Sequence, residues 1–394
     1  MLKYVRYLLM FPLLIVALAG IAAGGSWMWS GLMVSLIVVV GGDAMLSDDP
    51  VLPAYSMPEL LNGVLFSTLP FIAALFVLLV WMTAPSGDPL GLAHAVRGAA
   101  GWDLLAARSR TETGDLAGGV LSVVLLTGIA GINMAHELMH RSSPVMRAMG
   151  RLLQVFSFDV PGHIAHLNGH HVLVGTRNDP STARRGESSW IFLVRAIFTG
   201  NVFSWQTERD RLGAQGHAAF SWRNRFLQGH ASSMGATAIA WWMSGWRGAL
   251  TFVVTAVLSK ALLELVNYIQ HYGLVRVEGT PIEIRHSWNS NKRMSTYLLC
   301  NVTRHSWHHV EPALPFWAIR PMPEAPTLRH GYLTSILIAL VPWVWHRHMA
   351  RPLADWDAHH ASQAESRLAS GDPWQAAGQP ALAGDEAGGD HLPR

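Results

Sequence analysis

The chain has 394 residues, of which 50% are hydrophobic and only 14% are charged. Soluble domains usually carry about a quarter charged residues, so this composition indicates a bilayer protein and excludes intrinsic disorder and collagen-like order. The single cysteine, Cys300, excludes a disulfide scaffold, and a net charge of only +3 gives no sign of a nucleic-acid partner. The chain also has 20 histidines, and because histidine is the commonest metal ligand among side chains, they are candidates for a metal site.

Several stretches are long and apolar enough for a bilayer span, which needs about 20 mostly apolar residues. Six spans are predicted, near residues 7–24, 28–42, 64–82, 116–135, 234–246 and 250–269. The first stretch resembles a secretory signal, but the apolar pattern continues into a second stretch, so an uncleaved anchor is predicted. The apolar stretch at 332–345 is short and contains Pro342, so an interfacial helix is expected there rather than a seventh span.

The distribution of arginine predicts the orientation of these spans. The segment 141–228 is rich in arginine, which favours a cytoplasmic location for it and for both termini. The loop 43–62 has no lysine or arginine although it should be cytoplasmic, and the loop 83–114 has several arginines although it should be external. Residues 361–394 are rich in Ala, Gly, Asp and Pro without periodicity, and a disordered tail is expected there.

Four groups of histidines follow the ends of the predicted spans. His136 and His140 are four residues apart, so both imidazoles can point from one helix face at one metal ion. The second and fourth groups have H-x-x-x-H-H and H-x-x-H-H spacing, and the third is a single histidine after the sixth span. The histidines of these groups are His136, His140, His166, His170, His171, His271, His305, His308 and His309.

These nine histidines predict a site for two metal ions. Nine imidazoles exceed the four ligands of a tetrahedral zinc site and suit two ions of higher coordination number with open positions. Imidazole binds iron, copper, nickel and zinc alike, so the ligands alone do not name the metal. His271 by itself would be explained more simply as a core residue, but the other groups at the same membrane face are hard to obtain by chance.

The same motifs resemble those of the membrane-bound non-haem di-iron hydroxylases of the fatty-acid-desaturase superfamily, in particular the alkane omega-hydroxylases and the xylene/toluene methyl-group monooxygenases. The segments that carry the resemblance are HELMHR at 136–141, NGHH at 168–171, NDPSTA at 178–183, NYIQHYGL at 267–274, HSWNSN at 286–291, RHSWHH at 304–309 and PEAP at 323–326. The resemblance implies an all-α integral membrane protein with about six transmembrane helices and a cytoplasmic helical cap. That cap would carry a di-iron site on the nine histidines, and the hydroxylase domain would cover residues 1–360.

The resemblance also implies roles for residues near the ligands. Glu137 is expected to orient a ligand or to help deliver protons, although pairing with a nearby arginine would explain it equally well. Six further residues are expected to support the ligands by hydrogen bonds: His163, Asp179, Glu264, Asn267, Gln270 and His286. Alkane hydroxylases have carboxylates at the positions of Ala165, Gln270 and Trp307, so hydrogen bonding to the ligands must differ in this chain, which sits between the alkane and xylene branches.

The activity implied is the insertion of one oxygen atom of O2 into a terminal or benzylic methyl C–H of a hydrophobic hydrocarbon, an n-alkane or an alkylbenzene such as xylene or toluene. The product is a primary alcohol, and the cofactors are two non-haem iron ions with electrons supplied indirectly by NAD(P)H. The sequence has no G-x-G-x-x-G motif and no cysteine set for an iron–sulfur cluster, so a separate rubredoxin or ferredoxin-type reductase is expected to bring the electrons. The arginines of 184–225 could dock an acidic carrier, but the usual excess of positive charge in a cytoplasmic loop explains them better.

Three other functions stay open at this point. A fatty-acid or lipid desaturase would use the same iron pair but would remove a second hydrogen and retain no oxygen. The His136-Glu137-x-x-His140 motif is also the zinc-metalloprotease signature with Glu137 as general base, but an intramembrane protease would leave the other histidine groups unused. A metal transporter would place its polar groups near the bilayer midplane, whereas these groups lie past the ends of the spans.

Overall fold

The computed structural model describes residues 2–370, and its regular structure in that range is helical apart from one isolated β-bridge between Asn289 and Thr327. The prediction of an all-α protein is confirmed. The longer helices are α1 (Lys3–Ala23), α2 (Gly25–Met45), α3 (Leu60–Trp81), α4 (Thr113–Met139), α5 (Pro144–Val155), α6 (Ser189–Ala214), α7 (Arg225–His271), α8 (Tyr332–Ala339), α9 (Pro342–His359) and α10 (Gln363–Ser370). Short helical segments lie at Pro89–Gly91, Leu92–Ala100, Leu104–Ser109, Gly162–Ala165, His166–His170, His171–Leu173, Ile284–His286, Arg293–Leu298, His305–Val310 and Phe316–Ala318.

Five of the described helices are long and apolar enough to cross a bilayer, namely α1, α2, α3, α4 and α7. They match all of the predicted spans to within one residue at each end that they do not fully cover, and the predicted spans at 234–246 and 250–269 both fall within α7. The buried hydrophobic residues form two clusters, one mainly on α1 to α4 and the other mainly on α6 to α9. The protein is therefore a multi-pass membrane protein.

Helix α7 is a helical hairpin. Its 47 residues would extend for roughly 70 Å if straight, more than twice the hydrocarbon thickness of a bilayer. The helix is interrupted at Ser244 and Gly245, and the φ/ψ of Gly245, 63°/−157°, is open almost only to glycine. The reversal of the chain there is seen in the close approach of Gly248 to Ala240: a Cβ added to Gly248 would lie 2.4 Å from the carbonyl oxygen of Ala240, whereas residues eight apart in a straight helix are about 12 Å apart along its axis. The count of six spans stays a prediction, since it requires both arms of this hairpin to cross the bilayer.

Close packing of α2 against α4 positions the helix that carries the first histidines. A Cβ on Gly118 would lie 2.5 Å from the ring of Trp29, so only a glycine allows this approach. The Ser122 hydroxyl donates to the carbonyl of Met28 at 3.0 Å and accepts from the N–H of Leu32 at 2.9 Å. These contacts fix the first half of α4 against α2, and the end of α4 carries His136 and His140.

The apolar stretch 332–345 is divided between two helices. The helices α8 and α9 are separated at Leu340 and Val341, and neither is among the described helices that are long and apolar enough to cross a bilayer. The Ser189 hydroxyl at the start of α6 donates to the carbonyl of Ala339 at 2.7 Å, which ties α6 to the end of α8.

The predicted start of the disordered tail, residue 361, is too early. Residues 363–370 form α10, and Glu365 on it is buried, with its carboxylate 2.7 Å from Nε2 of His286 and 3.0 Å from Nε of Arg285. Ser362 and Glu365 also form the reciprocal hydrogen bonds of a capping box, an S-x-x-E signal that composition alone obscured. The remaining residues of the expected tail, 371–394, lie outside the described part of the chain.

Candidate metal centre

The nine predicted histidines lie together in two groups. The five-histidine group comprises His136, His140, His166, His171 and His308, and the four-histidine group comprises His170, His271, His305 and His309. Within each group, the potential ligand atoms all lie within 4.8 Å of one another. The two groups adjoin, since the ring centroids of His171 and His309 are 4.6 Å apart. The arrangement offers two neighbouring metal sites.

A π-helical turn divides the second histidine motif between the groups. In an α-helix the pair four apart, His166 and His170, would share a face. The segment His166–His170 is instead π-helical, and a π-turn brings residues five apart together. His166 therefore pairs with His171, with ring centroids 4.5 Å apart, whereas His170 turns to His271 at 4.6 Å.

An ordinary α-helical turn divides the last histidine motif. His305 and His309 are four residues apart on the segment His305–Val310, and their rings are 4.5 Å apart in the four-histidine group. His308 points to the other group, where its ring centroid is 4.6 Å from that of His136 on α4. The second and fourth motifs thus each supply ligands to both groups.

The spacing of the imidazole nitrogens fits a metal with right-angle coordination. Nε2 of His166 is 3.1 Å from Nε2 of His140 and 2.9 Å from Nε2 of His171. In the four-histidine group, the Nε2 of His305 lies 3.1 Å and 3.0 Å from two other Nε2 atoms. Two ligands about 2.1 Å from a metal are roughly 3.0 Å apart at 90° and roughly 3.4 Å apart at the tetrahedral angle. The observed spacing is closer to the first value than to that of a tetrahedral zinc site.

Burial favours the neutral form, which a metal ligand needs, in several of these imidazoles. Burial, reinforced by neighbouring imidazoles, lowers the pKa of His166, His305 and His309 well below the ordinary histidine value. Burial and nearby positive groups lower the pKa of His140 to about 4. Nε2 of His308 is buried without a hydrogen-bond partner, and a bound metal ion would satisfy it. The donor set therefore fits a transition metal.

Asp179 is the one carboxylate in the described chain that contacts a histidine of either group. Its Oδ2 accepts from Nδ1 of His170 at 2.9 Å and from the Thr182 hydroxyl at 2.6 Å, and its Oδ1 accepts from the N–H of Ser181 at 3.0 Å. Burial alone would raise the pKa of Asp179, but these partners outweigh burial and lower it. The contact fixes the His170 tautomer and leaves its Nε2, which has no other partner, free for a metal.

Three other histidines of the two groups have no hydrogen bond at Nδ1 like that of His170. The Nδ1 atoms of His171, His305 and His309 are buried without hydrogen-bond partners in the structure. The side chain of Gln270 donates to the hydroxyl of Tyr332 at 3.0 Å and not to a histidine of either group. The expectation that hydrogen bonding to the ligands differs from that in the alkane hydroxylases stays a prediction.

His163 and His286 do not support the ligands through their rings. Nδ1 of His163 lies 2.5 Å from the carbonyl oxygen of Val160, and the ring of His286 faces Glu365 of α10. The Nδ1 atom of His271 instead lies 3.4 Å from the hydroxyl of Ser287, the residue after His286. Sequence proximity to the motifs therefore overestimated the part played by these two side chains.

Glu137, near the end of α4, connects that helix to the segment at Phe316, which is distant in the chain. Its Oε1 accepts from the guanidinium of Arg141 and from the N–H of Phe316 at 3.0 Å, and the side chain is buried. Glu137 does not line the cavity described below. Its contacts hold the end of α4, with His136 and His140, in place, and they favour orientation over proton delivery.

A cavity extends from the histidines between the helices. His136, His166 and His305 lie at its lining, together with side chains of α2, α4, α7 and α8. These helices, together with Leu299 after the short helix Arg293–Leu298, contribute an apolar wall that includes Val39, Leu125, Ile129, Leu262 and Ile336. A hydrocarbon chain can therefore lie against this wall with one end beside the five-histidine group.

Another part of the cavity lining forms a polar wall, which was not anticipated as a unit. Nζ of Lys260 is 2.5 Å from Oδ1 of Asp159 and 2.7 Å from Oε1 of Glu264, and Nδ2 of Asn267 donates to Oε2 of Glu264 at 3.0 Å. Glu264 and Asn267 thus lie in the cavity wall rather than on a ligand. Lys260 could have been noticed in the sequence, because a lysine inside an apolar span is expensive and usually functional.

Comparison with known proteins agrees with this site. Residues 116–335 match the Fatty acid desaturase family. Xylene/toluene monooxygenase hydroxylase component XylM of Pseudomonas putida is 32% identical over 66% of this chain and 70% of its own length. Alkane 1-monooxygenase 2 of Pseudomonas aeruginosa is 32% identical over 81% of this chain and 82% of its own length. Alkane 1-monooxygenase 1 of the same species is 34% identical over 58% of this chain, and that match spans only 61% of the enzyme.

These relatives are monooxygenases, so the match to the desaturase family reflects the wider superfamily and does not favour a desaturase. Two adjoining histidine groups, apolar spanning helices and the family match agree with one another. The chain therefore belongs to the fatty acid desaturase family, as an oxidoreductase related to the membrane hydrocarbon monooxygenases.

Proposed function

We propose that this protein inserts one oxygen atom of O2 into a terminal or benzylic methyl C–H of a hydrophobic hydrocarbon, an n-alkane or an alkylbenzene, and releases a primary alcohol. The observation that carries the proposal is the position of the two histidine groups beside a cavity with a long apolar wall. The names of the relatives, alkane 1-monooxygenase and xylene/toluene monooxygenase, support the same substrate classes.

The five-histidine and four-histidine groups would each hold one iron ion. The spacing of their nitrogens and the unpartnered ring nitrogens support this assignment. The iron pair, when bound, supplies the activation of O2 and the attack on an unactivated C–H bond, which no side chain can perform. The site residues proposed as ligands are the nine histidines, with Asp179 as the residue that orients His170.

The protein itself binds and orients the substrate. The apolar wall removes a hydrocarbon from water, which stabilises it by about 25 cal/mol for each Å² of apolar surface buried. His136 and His166 face the cavity, so a methyl group at that end of the wall lies beside the five-histidine group. The contacts of Glu137 with Arg141 and Phe316 hold the backbone that carries His136 in place.

The reaction needs two electrons from outside the chain. We assign their source to NAD(P)H through a separate carrier, a rubredoxin or a ferredoxin-type reductase, because the sequence has one cysteine and no dinucleotide-binding motif. We place the protein in a bacterial inner membrane with both termini in the cytoplasm, an assignment supported by the arginine-rich segment 141–228.

Product analysis tests the proposal. Cells that express the chain with rubredoxin and ferredoxin systems are fed octane, hexadecane, toluene or p-xylene, and products are identified by gas chromatography–mass spectrometry. His308→Ala serves as the blank, because it removes a ligand of the five-histidine group. A primary alcohol from one substrate class, absent in the blank, supports the proposal and chooses the class. An unsaturated product would indicate a desaturase, and no product from a protein with two irons per chain would refute these substrates.

A further inference from the structure

The polar wall of the cavity is a continuous feature of α7. Lys260, Glu264, Asn267 and His271 are separated by four, three and four residues, so they lie on one face of the helix. At one end of this stripe is a proposed metal ligand, and at the other Lys260 bonds Asp159, which is 101 residues away in the chain. Four polar side chains in a row on an apolar spanning helix are costly unless they serve a function.

The charges in this wall do not balance. One ammonium, Lys260, lies between the carboxylates of Asp159 and Glu264, and the side chains are only 15%, 9% and 5% exposed. Two carboxylates and one ammonium leave a net charge of −1, which burial disfavours. Uptake of one proton by these three side chains makes their net charge zero. Burial favours this uptake, because it raises the pKa of Asp159.

Asp159 and Glu264 are also the only acids in the described lining of the cavity. Besides them, the titratable side chains of the lining are Lys260, Tyr332 and the histidines. Glu137, the other acid near the site, is held by Arg141 and Phe316 and does not reach the cavity. Gly200 and Asn201 of α6 line the same cavity and are partly exposed, so the cavity approaches the surface of the protein at α6.

We propose that Asp159, Lys260 and Glu264 deliver protons to the oxygen chemistry in the cavity, with Glu264 as the final donor. This inference rests on the proposed function. In the overall reaction RH + O2 + 2 H⁺ + 2 e⁻ gives ROH + H2O, and the electrons come from the protein redox carrier. Each proton leaves the carboxyl O–H of Glu264 for the oxygen that becomes water. The resulting carboxylate is reprotonated from solvent across Lys260, which contacts both acids.

The test compares Glu264→Gln with Glu208→Gln. Glutamine keeps the size of Glu264 and its hydrogen bond from Asn267 but cannot donate an acidic proton. Glu208 is a matched control, because it is a buried carboxylate paired with Arg211 but does not line the cavity. We expect Glu264→Gln to retain two irons, to lose about 10²-fold in turnover, and to release more hydrogen peroxide per electron. Its solvent deuterium isotope effect should rise, whereas that of Glu208→Gln should stay at the wild-type value.

A measurement on the metal-free protein separates this inference from the proposed function. Infrared difference spectra between acidic and neutral buffer should contain a carboxylic acid band that disappears in Glu264→Gln or in Asp159→Asn. Wild-type coupling and isotope effect in an iron-loaded Glu264→Gln variant would overturn the proposal, and so would equal losses in Glu208→Gln. If the wild type makes no alcohol, the proposed function fails, and the infrared band still decides whether these acids exchange protons.

Discussion

Replacement of Asp179 by Asn should weaken metal binding without removing a ligand. Asp179 accepts three hydrogen bonds, from His170, Thr182 and Ser181, with its two oxygens. Asparagine has one oxygen and one NH2 group, so in either orientation its NH2 faces a donor, either Ser181 N–H or His170 Nδ1–H and the Thr182 hydroxyl. The loss of such a partner typically costs 10- to 100-fold in metal affinity, which is about 1.4–2.7 kcal/mol.

The assay is competition with a chelator of known affinity, with iron per chain measured by mass spectrometry. Asp43→Asn is the control, because Asp43 is also a buried carboxylate and accepts from Ser295 N–H at 2.9 Å, away from the histidines. Thermal unfolding of the metal-free variants separates lost stability from lost affinity. Wild-type iron retention in Asp179→Asn, or an equal loss in Asp43→Asn, would refute the assignment of Asp179 as the residue that orients His170.

Three further changes probe the fold and the site. His308→Ala should leave the four-histidine group intact, so iron should fall to about half of the wild-type content by mass spectrometry while alcohol formation disappears. Gly245→Ala forces a side chain into φ 63°/ψ −157° and should lower the free energy of unfolding by about 1–3 kcal/mol in thermal denaturation. Burial alone would raise the pKa of Glu365, but hydrogen bonds with His286 and Ser362 lower it from 4.5 to about 2. The ionised carboxylate therefore stabilises the docking of α10 fully above pH 4.5, and this stabilisation should be lost as the pH falls towards 2. Limited proteolysis across that range should detect release of α10, whereas Glu365→Gln should already release it at neutral pH.

Local patterns in the sequence were sufficient to select the nine histidines that the structure brings together. The histidine motifs and the apolar stretches depend on residues close together in the chain, and helical periodicity alone places His136 beside His140. The same periodicity would have paired His166 with His170, and it was a π-turn that paired His166 with His171 instead. The division into five and four histidines therefore belongs to the structure.

Contacts between distant segments were decided only by tertiary packing. The pairing of Asp159 with Lys260 joins the segment before the second histidine motif to the second arm of α7. The position of that arm depends on the reversal of the chain at Gly245, which its backbone angles produce. The docking of Glu365 on His286 likewise gives order to a segment whose composition is that of a tail. Composition and periodicity report which residues share a helix face or a bilayer span. Which buried charges meet depends on how the helices pack, because a buried charge is stable only where another segment of the chain supplies its partner.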